Sequence, residues 1–328
     1  MMKHLFRNIL VIGFIGLFIY FYVKNPDSVT TIQKIGLLFF GVAIIYQLAI
    51  LFISDLITKI MVDRLSEKRI TILDGYYSAF ISNFGNFFLP LTGGMFLRAL
   101  FLKRQYNFSY KKFISISYGS YIVSFSVIFG IALFSLTYLY FKDNVFIPSL
   151  FFISLSVFIL SISLMSKNLR LDTFIVKMLG KFKFGKKLAG MVRDISIGWQ
   201  DIIHTPGLLL KMVALMLMNV FLRTIFYYVM FSSLGVTTNI FYMLLFTSLI
   251  SISLYVTITP GSLGIREALL VFYSKSLNLD VSHVLTVNLI DRASSILVLI
   301  GLIIIFEFIL KKRITDFFHR TKSNTAKL

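Results

Sequence analysis

Long apolar runs separated by short basic connections dominate this chain. Many of the runs reach the roughly 20 residues that a helix needs to cross a bilayer. The pattern predicts an all-α polytopic membrane protein with about eight hydrophobic segments, forming a single integral membrane domain over residues 1–328. The unbroken spans are placed at Leu5–Val23, Ile35–Ile57, Phe113–Phe141, Phe146–Met165, Leu208–Phe231 and Val284–Leu310.

Two further segments are longer, and each is interrupted by proline and glycine. Segment 70–102 is broken at Phe88-Leu89-Pro90-Leu91-Thr92-Gly93-Gly94, and segment 240–273 at Thr259-Pro260-Gly261-Ser262-Leu263-Gly264. Proline removes a backbone donor and glycine relaxes the backbone, so each break ends one helix and begins another.

The distribution of lysine and arginine predicts how these broken segments lie in the membrane. Basic clusters at 59–69 and 103–112 flank the first one, and both favour the cytoplasm. Segment 70–102 is therefore predicted to be a re-entrant hairpin that enters from the cytoplasm. If both termini are cytoplasmic, segment 240–273 must begin and end outside, so it is predicted to be a second re-entrant hairpin that enters from the opposite face of the membrane. This is an inverted-repeat, transporter-like pattern, with a substrate site where the breaks meet. The alternative is that both breaks are kinks in full spans.

Composition narrows the class of protein and its partners. The chain is 57% hydrophobic and only 14% charged, which excludes an ordinary soluble domain. Its formal net charge of +19 lies mostly in connections between apolar runs, a pattern typical of membrane topology and anionic lipid rather than nucleic acid. Segment 167–204 alternates basic and apolar residues, which predicts an amphipathic helix on the cytoplasmic surface. We expect a multi-pass protein of the cell (cytoplasmic) membrane.

The breaks carry the chemistry that would hold a phosphate. In each, a glycine-rich turn opens a new half-helix, whose free N–H groups and positive dipole end favour anions. An arginine follows in both, Arg98 and Arg266, and could clamp the anion with two hydrogen bonds. We predict that these two, with Arg223 and Arg292, bind lipid phosphate. The alternative is that they pair with acids inside the bundle or extend to the membrane interface. The residues predicted to shape the breaks are Asn86, Pro90, Gly93, Gly94, Pro260, Gly261 and Gly264.

Acidic residues within the apolar segments are also candidates, because a charge inside a membrane is costly to keep. They are Asp55, Asp74, Glu267 and Asp291. Asp291 is expected to face an arginine of the second hairpin, and Glu267 to complement the N-terminal dipole of its half-helix. Glu307 is predicted to be interfacial.

Signatures of soluble enzyme chemistry are missing from the sequence. There is no cysteine, and the four histidines show no metal-ligand spacing. A P-loop and a dinucleotide-binding fingerprint are also missing. We therefore predict no metal and no cofactor, and an ATP-driven mechanism would need a partner ATPase.

The second break resembles a known motif. The run Thr259 to Glu267 resembles the P-G-G-x-G-x-R-E motif of the lysylphosphatidylglycerol synthase transmembrane-region family, which includes the flippase half of multiple-peptide-resistance-factor proteins. The segment Asn86 to Arg98 is similar to the family's N-x-x-x-P…G…R stretch. Two departures are visible: Ser262 stands at the usual second glycine, and the glutamate often found before the first arginine is missing.

The resemblance implies lipid translocation. The family's soluble aminoacyl-tRNA transferase domain does not occur in this sequence, so we expect a transporter rather than a synthase. The leading hypothesis is a flippase for an aminoacylated phosphatidylglycerol or a polyprenyl-phosphate-linked lipid, running downhill or ion-coupled through Asp55, Asp74 or Asp291. The alternatives are a membrane-embedded transferase and a lipid-binding partner of a separate synthase. Candidate partners are an anionic or zwitterionic membrane lipid, a soluble synthase or glycosyltransferase, and a second copy of the chain.

Overall fold

The computed structural model describes most of the predicted membrane core. The described residues are 36–89, 93–165, 205–253, 259–277 and 279–306, together with Val23, Trp199, Gln200, Ile202 and Tyr255. Several predicted features lie outside them: the first span except for Val23, almost all of the basic segment 167–204, Pro90, Glu307 and both termini.

The described ranges fold into nine α-helices and contain no strand. In chain order these are α1 (Leu37–Leu65), α2 (Ile72–Phe88), α3 (Gly93–Tyr106), α4 (Tyr110–Asp143), α5 (Pro148–Met165), α6 (Pro206–Ser233), α7 (Ile240–Ser253), α8 (Ile265–Ser276) and α9 (Val281–Ile304). Five of them, α1, α4, α5, α6 and α9, are long and apolar enough to cross a membrane. The predicted class of an all-α polytopic membrane protein is confirmed.

Helix α1 is longer than the sequence pattern suggested. The predicted span stopped at Ile57, with a basic connection from residue 59, but the helix continues to Leu65. Lys59 Nζ lies 2.6 Å from Asp63 Oδ2, one turn later. Ion pairs between residues four positions apart stabilise a helix. The hydrophobic pattern marks only the part of a helix that meets lipid, so it missed this polar end.

Segment 70–102 forms a helical hairpin in which α2 packs against α3. At its base, the Tyr106 hydroxyl of α3 donates to Asp74 Oδ2 at the start of α2, at 2.6 Å. At its tip, the Gly94 N–H donates to Asn86 Oδ1 at 3.0 Å. The two helices therefore begin and end at the same end of the bundle, as the charge distribution predicted.

The close crossing of α2 and α3 yields a test of the hairpin. A Cβ atom on Gly94 would stand 1.8 Å from the Ser82 carbonyl oxygen. We expect Gly94→Ala to lower the free energy of unfolding by about 2 kcal/mol or more, because backbone has to move. Gly41→Ala in α1 is the control, since nothing lies within 4 Å of its Cβ. Unfolding in mixed detergent micelles measures both; equal effects would contradict the close crossing.

The second broken segment brings its break against the first hairpin. Helices α7 and α8 are separated by a 3₁₀ turn, Pro260–Ser262, which packs against α2. A Cβ on Gly261 would lie 3.9 Å from the Phe87 carbonyl oxygen, near the end of α2. The two breaks therefore lie side by side, which is the arrangement that an inverted repeat predicts.

The hairpins open at opposite ends of α4, a helix about 50 Å long. Near its N-terminus, Lys112 Nζ donates to the Leu65 carbonyl oxygen at 2.7 Å, beside the base of the first hairpin. Toward its other end, Tyr138 stacks on Phe241 of α7 with ring centroids 3.6 Å apart. The first hairpin thus enters from one end of the bundle and the second from the other.

Two hydrophobic clusters form the core, one around each hairpin. The first includes Phe80 and Leu102, and the second includes Phe246 and Leu270. Helices α1, α4, α6 and α9 contribute to both clusters, so they tie the two halves together. Helix α5 packs mainly on α4 and leaves apolar side chains such as Phe152 exposed, as expected of a lipid-facing surface.

The lack of cysteine makes the sidedness of the bundle easy to test. Lys68 and Lys103 are exposed at one end, while Asn144 and Asn239 are exposed at the other. Positive-inside topology predicts that an impermeant maleimide applied to intact cells labels Asn144→Cys and Asn239→Cys only. Lys68→Cys and Lys103→Cys should react only after permeabilisation. Labelling of Lys103→Cys in intact cells, with Asn144→Cys protected, would contradict this orientation.

Candidate functional site: a cavity lined by two arginines

A cavity of about 340 Å³ lies inside the bundle, beside the tip of the first hairpin. Its walls come from α1, α2, α3, α4, α6 and α9, with Ser251 and Tyr255 from the end of α7 and beyond. This size is in the range of small-molecule sites. Of the described residues that line it, only Arg98 and Arg223 carry a charge.

Arg98 comes from the second turn of α3 and is almost completely buried. Its Nε donates to Ser78 Oγ at 3.3 Å, and the Ser78 hydroxyl donates to the Gly75 carbonyl oxygen. The Nη2 atom is buried and has no hydrogen-bond partner. The guanidinium is therefore held at one corner, while its buried Nη2 has no hydrogen-bond partner, which suits an anion.

Arg223 reaches the cavity from α6. Its Nε donates to Asn219 Oδ1 at 3.0 Å and its Nη1 to the Tyr46 hydroxyl at 3.3 Å. Both partners are neutral, and Arg223 forms no ion pair with any described carboxylate. Its positive charge is therefore held in position without an ion pair, and it lines the same cavity as Arg98.

Arg266 has a different environment at the start of α8. Its guanidinium forms a buried ion pair with Asp291 of α9 and donates to the Tyr227 hydroxyl at 2.8 Å. Gln47 Nε2 donates to Asp291 Oδ1 at 2.7 Å. The prediction that Asp291 faces an arginine of the second hairpin is confirmed. Arg266 does not line the cavity.

Arg292 and Glu267 hold the second break together. Arg292 Nη2 lies 2.7 Å from Glu267 Oε1, and its Nη1 donates to the Gly261 carbonyl oxygen at 3.1 Å. Glu267 Oε2 accepts the Gly264 N–H at 2.8 Å, so it caps the half-helix as expected. That Arg266 and Arg292 bind lipid phosphate stays a prediction; their ion pairs match the alternative, in which intramembrane arginines pair with acids.

The two remaining acids lie on or beside the first hairpin and do not line the cavity. Asp55 of α1 is fully buried against Gly75, and neither carboxylate oxygen has a hydrogen-bond partner. Among the described residues, Asp55 interacts electrostatically with Arg98 and Lys59. Asp74 lies at the base of the hairpin with Tyr106. A role for either acid in ion coupling stays a prediction.

Comparison with protein families agrees with this architecture. The family model described as Lysylphosphatidylglycerol synthase TM region matches residues 6–305. The chain belongs to this family. The match covers both hairpins and the cavity between their helices, and membership indicates a function related to membrane lipids. No curated protein and no solved structure gives a significant match to the chain.

The backbone of the second break explains the glycines of this lysylphosphatidylglycerol synthase TM-region protein. Gly261, Ser262 and Gly264 all have positive φ, at 60°, 53° and 79°. Glycine adopts this conformation freely, whereas serine does so at a cost. We expect Ser262→Gly to raise the free energy of unfolding by about 1 kcal/mol. Ser156→Gly, on the exposed face of α5, should lower it. The same detergent unfolding assay measures both variants. A Ser262→Gly protein that is less stable than the wild type would refute the claim that the backbone of Ser262 is strained.

Sequence reasoning missed the neutral polar residues of this family member's site. Gln47, Tyr46 and Tyr227 position the arginines and Asp291, and Ser78 holds Arg98. Gln47 could have been found, because an amide inside an apolar span needs a partner. The tyrosines could not, since aromatic residues occur throughout the spans.

Proposed function

We propose that this protein moves a phosphate-bearing lipid across the membrane, with the headgroup bound at Arg98 and Arg223. The observation that carries the proposal is the pair of cavity-lining guanidinium groups that form no ion pair with a carboxylate among the described residues. The buried Asp55 interacts electrostatically with Arg98 but makes no hydrogen bond to it. Inside a membrane bundle such cations are stabilised by an anion that binds them directly. A lipid phosphate provides that anion, and the apolar exterior of the bundle leaves the acyl chains in the bilayer.

The arrangement of the helices supports movement rather than fixed binding. The cavity is lined from the tip of the first hairpin, at Asn86 and Met95, and the second break lies against the same hairpin. Broken helices that enter from opposite faces are typical of alternating access around one site. We place the protein in the cytoplasmic membrane with its basic end inside, as the lysine and arginine distribution predicts.

Transport is favoured over lipid modification by what lines the cavity. A transferase needs a base near the reacting hydroxyl, usually a histidine or a carboxylate. Neither residue type occurs among the described lining residues. The carboxylate of Asp55 lies outside the lining and is buried against Gly75.

Reconstitution of the purified chain in proteoliposomes tests the proposal. We expect a phosphate lipid placed in one leaflet to reach the other faster than in protein-free vesicles, with its mass unchanged. Accessibility of the headgroup to an impermeant reagent measures the exchange, and mass spectrometry detects covalent change. Exchange no faster than in protein-free vesicles would refute the proposal. A lipid of altered mass without exchange would identify the transferase.

A further inference from the structure

Resting on the proposed function, we infer that the cavity selects an anionic headgroup that bears hydroxyls and carries no ammonium group. Its substrate class is a lipid phosphate esterified to glycerol or a sugar, without an attached amino acid. This excludes one of the two cargoes expected from the sequence, an aminoacylated phosphatidylglycerol.

The charge around the cavity is the first ground. Arg98 and Arg223 contribute two positive charges, and no described lining residue is acidic. Asp55, behind the wall, offsets part of the charge of Arg98 and leaves Arg223 without a carboxylate. A phosphodiester brings one negative charge and satisfies such a site. An additional ammonium group would enter a poorly screened space that already holds two cations, where like charges repel strongly.

The nearby carboxylates are the second ground, because an ammonium group would need one of them. Asp291 is taken by Arg266, and Glu267 by Arg292. Asp55 is fully buried and lies behind the wall, not in it. None of these three acids is therefore available to a cation in the cavity.

The neutral polar lining is the third ground, since it suits hydroxyl groups. Hydroxyl and amide side chains from α1, α2, α4 and α6 line the cavity. Ser117 and Ser120 donate their own hydrogens to carbonyl oxygens one turn earlier, at 2.9 and 2.8 Å. Their oxygens therefore remain as acceptors, and a glycerol or sugar hydroxyl can donate to them.

Binding of three dihexanoyl lipids to the purified full chain tests the inference. The probes are phosphatidylglycerol, phosphatidylmethanol of the same charge without hydroxyls, and lysyl-phosphatidylglycerol. We expect phosphatidylglycerol to bind about fivefold more tightly than phosphatidylmethanol, and at least about tenfold more tightly than the lysyl lipid. Lysyl-phosphatidylglycerol binding as tightly as phosphatidylglycerol would overturn the charge selection. Equal binding of phosphatidylglycerol and phosphatidylmethanol would overturn the hydroxyl selection.

Two variants complete the test. Ser120→Asp adds a carboxylate to the wall and should shift the preference toward the lysyl lipid; an unchanged preference in the folded variant would count against the inference.

Arg98→Ala separates the two claims. If the lysyl lipid binds well and Arg98→Ala abolishes that binding, the inference fails and the proposed function stands. If Arg98→Ala changes the binding of none of the lipids, the proposed function fails.

Discussion

Replacing Arg98 by alanine is expected to weaken binding of dihexanoyl phosphatidylglycerol by about 3 kcal/mol, roughly a hundredfold. The Nη2 atom of Arg98 is the one side-chain donor among the described cavity residues that is buried without a hydrogen-bond partner. Its loss removes charge-assisted hydrogen bonds inside the bundle, where charges are screened less than in bulk water. Titration of the lipid into the purified protein, by calorimetry or thermophoresis, measures the change.

Two further variants show that this loss reports on the phosphate. Arg98→Lys keeps the positive charge but not the bidentate geometry, so we expect an intermediate affinity. Lys103→Ala removes an exposed charge from the same helix and should leave binding unchanged. If Lys103→Ala weakened binding as much as Arg98→Ala, the effect would be that of overall charge and not of the cavity.

Replacing Arg266 by alanine is expected to have the largest effect on stability, about 3–5 kcal/mol in the free energy of unfolding. Asp291 would then remain inside the bundle as a carboxylate without its cationic partner. The Tyr227 hydroxyl would also lose its donor. Asp291→Asn should cost a similar amount, because Arg266 would be left uncompensated.

The double variant Arg266→Met/Asp291→Leu separates the pair from its parts. It removes both charges together, so it should be less destabilised than either single variant. Lys59→Ala breaks a partly exposed ion pair with Asp63 and serves as the control, with an expected cost of about 0.5 kcal/mol. A double variant destabilised as much as Arg266→Ala or more would contradict the coupling of Arg266 and Asp291.

Much of the architecture could be predicted from the sequence because hydrophobicity and charge act over whole segments. The apolar runs marked the membrane helices, and the basic clusters around segment 70–102 required it to turn back. Pro260 and Gly261 marked the second break, where positive φ is now visible at Gly261. These signals depend on the bilayer and on local backbone geometry, so they can be read without knowing which helices touch.

The composition of the site could be predicted only in part, because it depends on contacts between distant helices. Arg98, Arg223, Arg266 and Arg292 looked alike in sequence, each a cation inside an apolar segment. Packing distinguishes them. Arg266 and Arg292 pair with carboxylates of α9 and α8, respectively. Arg98 and Arg223 line the cavity. Only Asp291 gave a usable signal, as an acid deep in a span that needed a cation.

The most direct test of the central claim is leaflet exchange by the double variant Arg98→Ala/Arg223→Ala in proteoliposomes. Its matched control is Lys103→Ala/Lys211→Ala, which removes two exposed charges from the same helices, α3 and α6. Initial rates are compared at equal amounts of folded protein. Our account predicts that the arginine variant falls to the rate of protein-free vesicles while the lysine variant matches the wild type. An arginine variant that keeps the wild-type rate would contradict it.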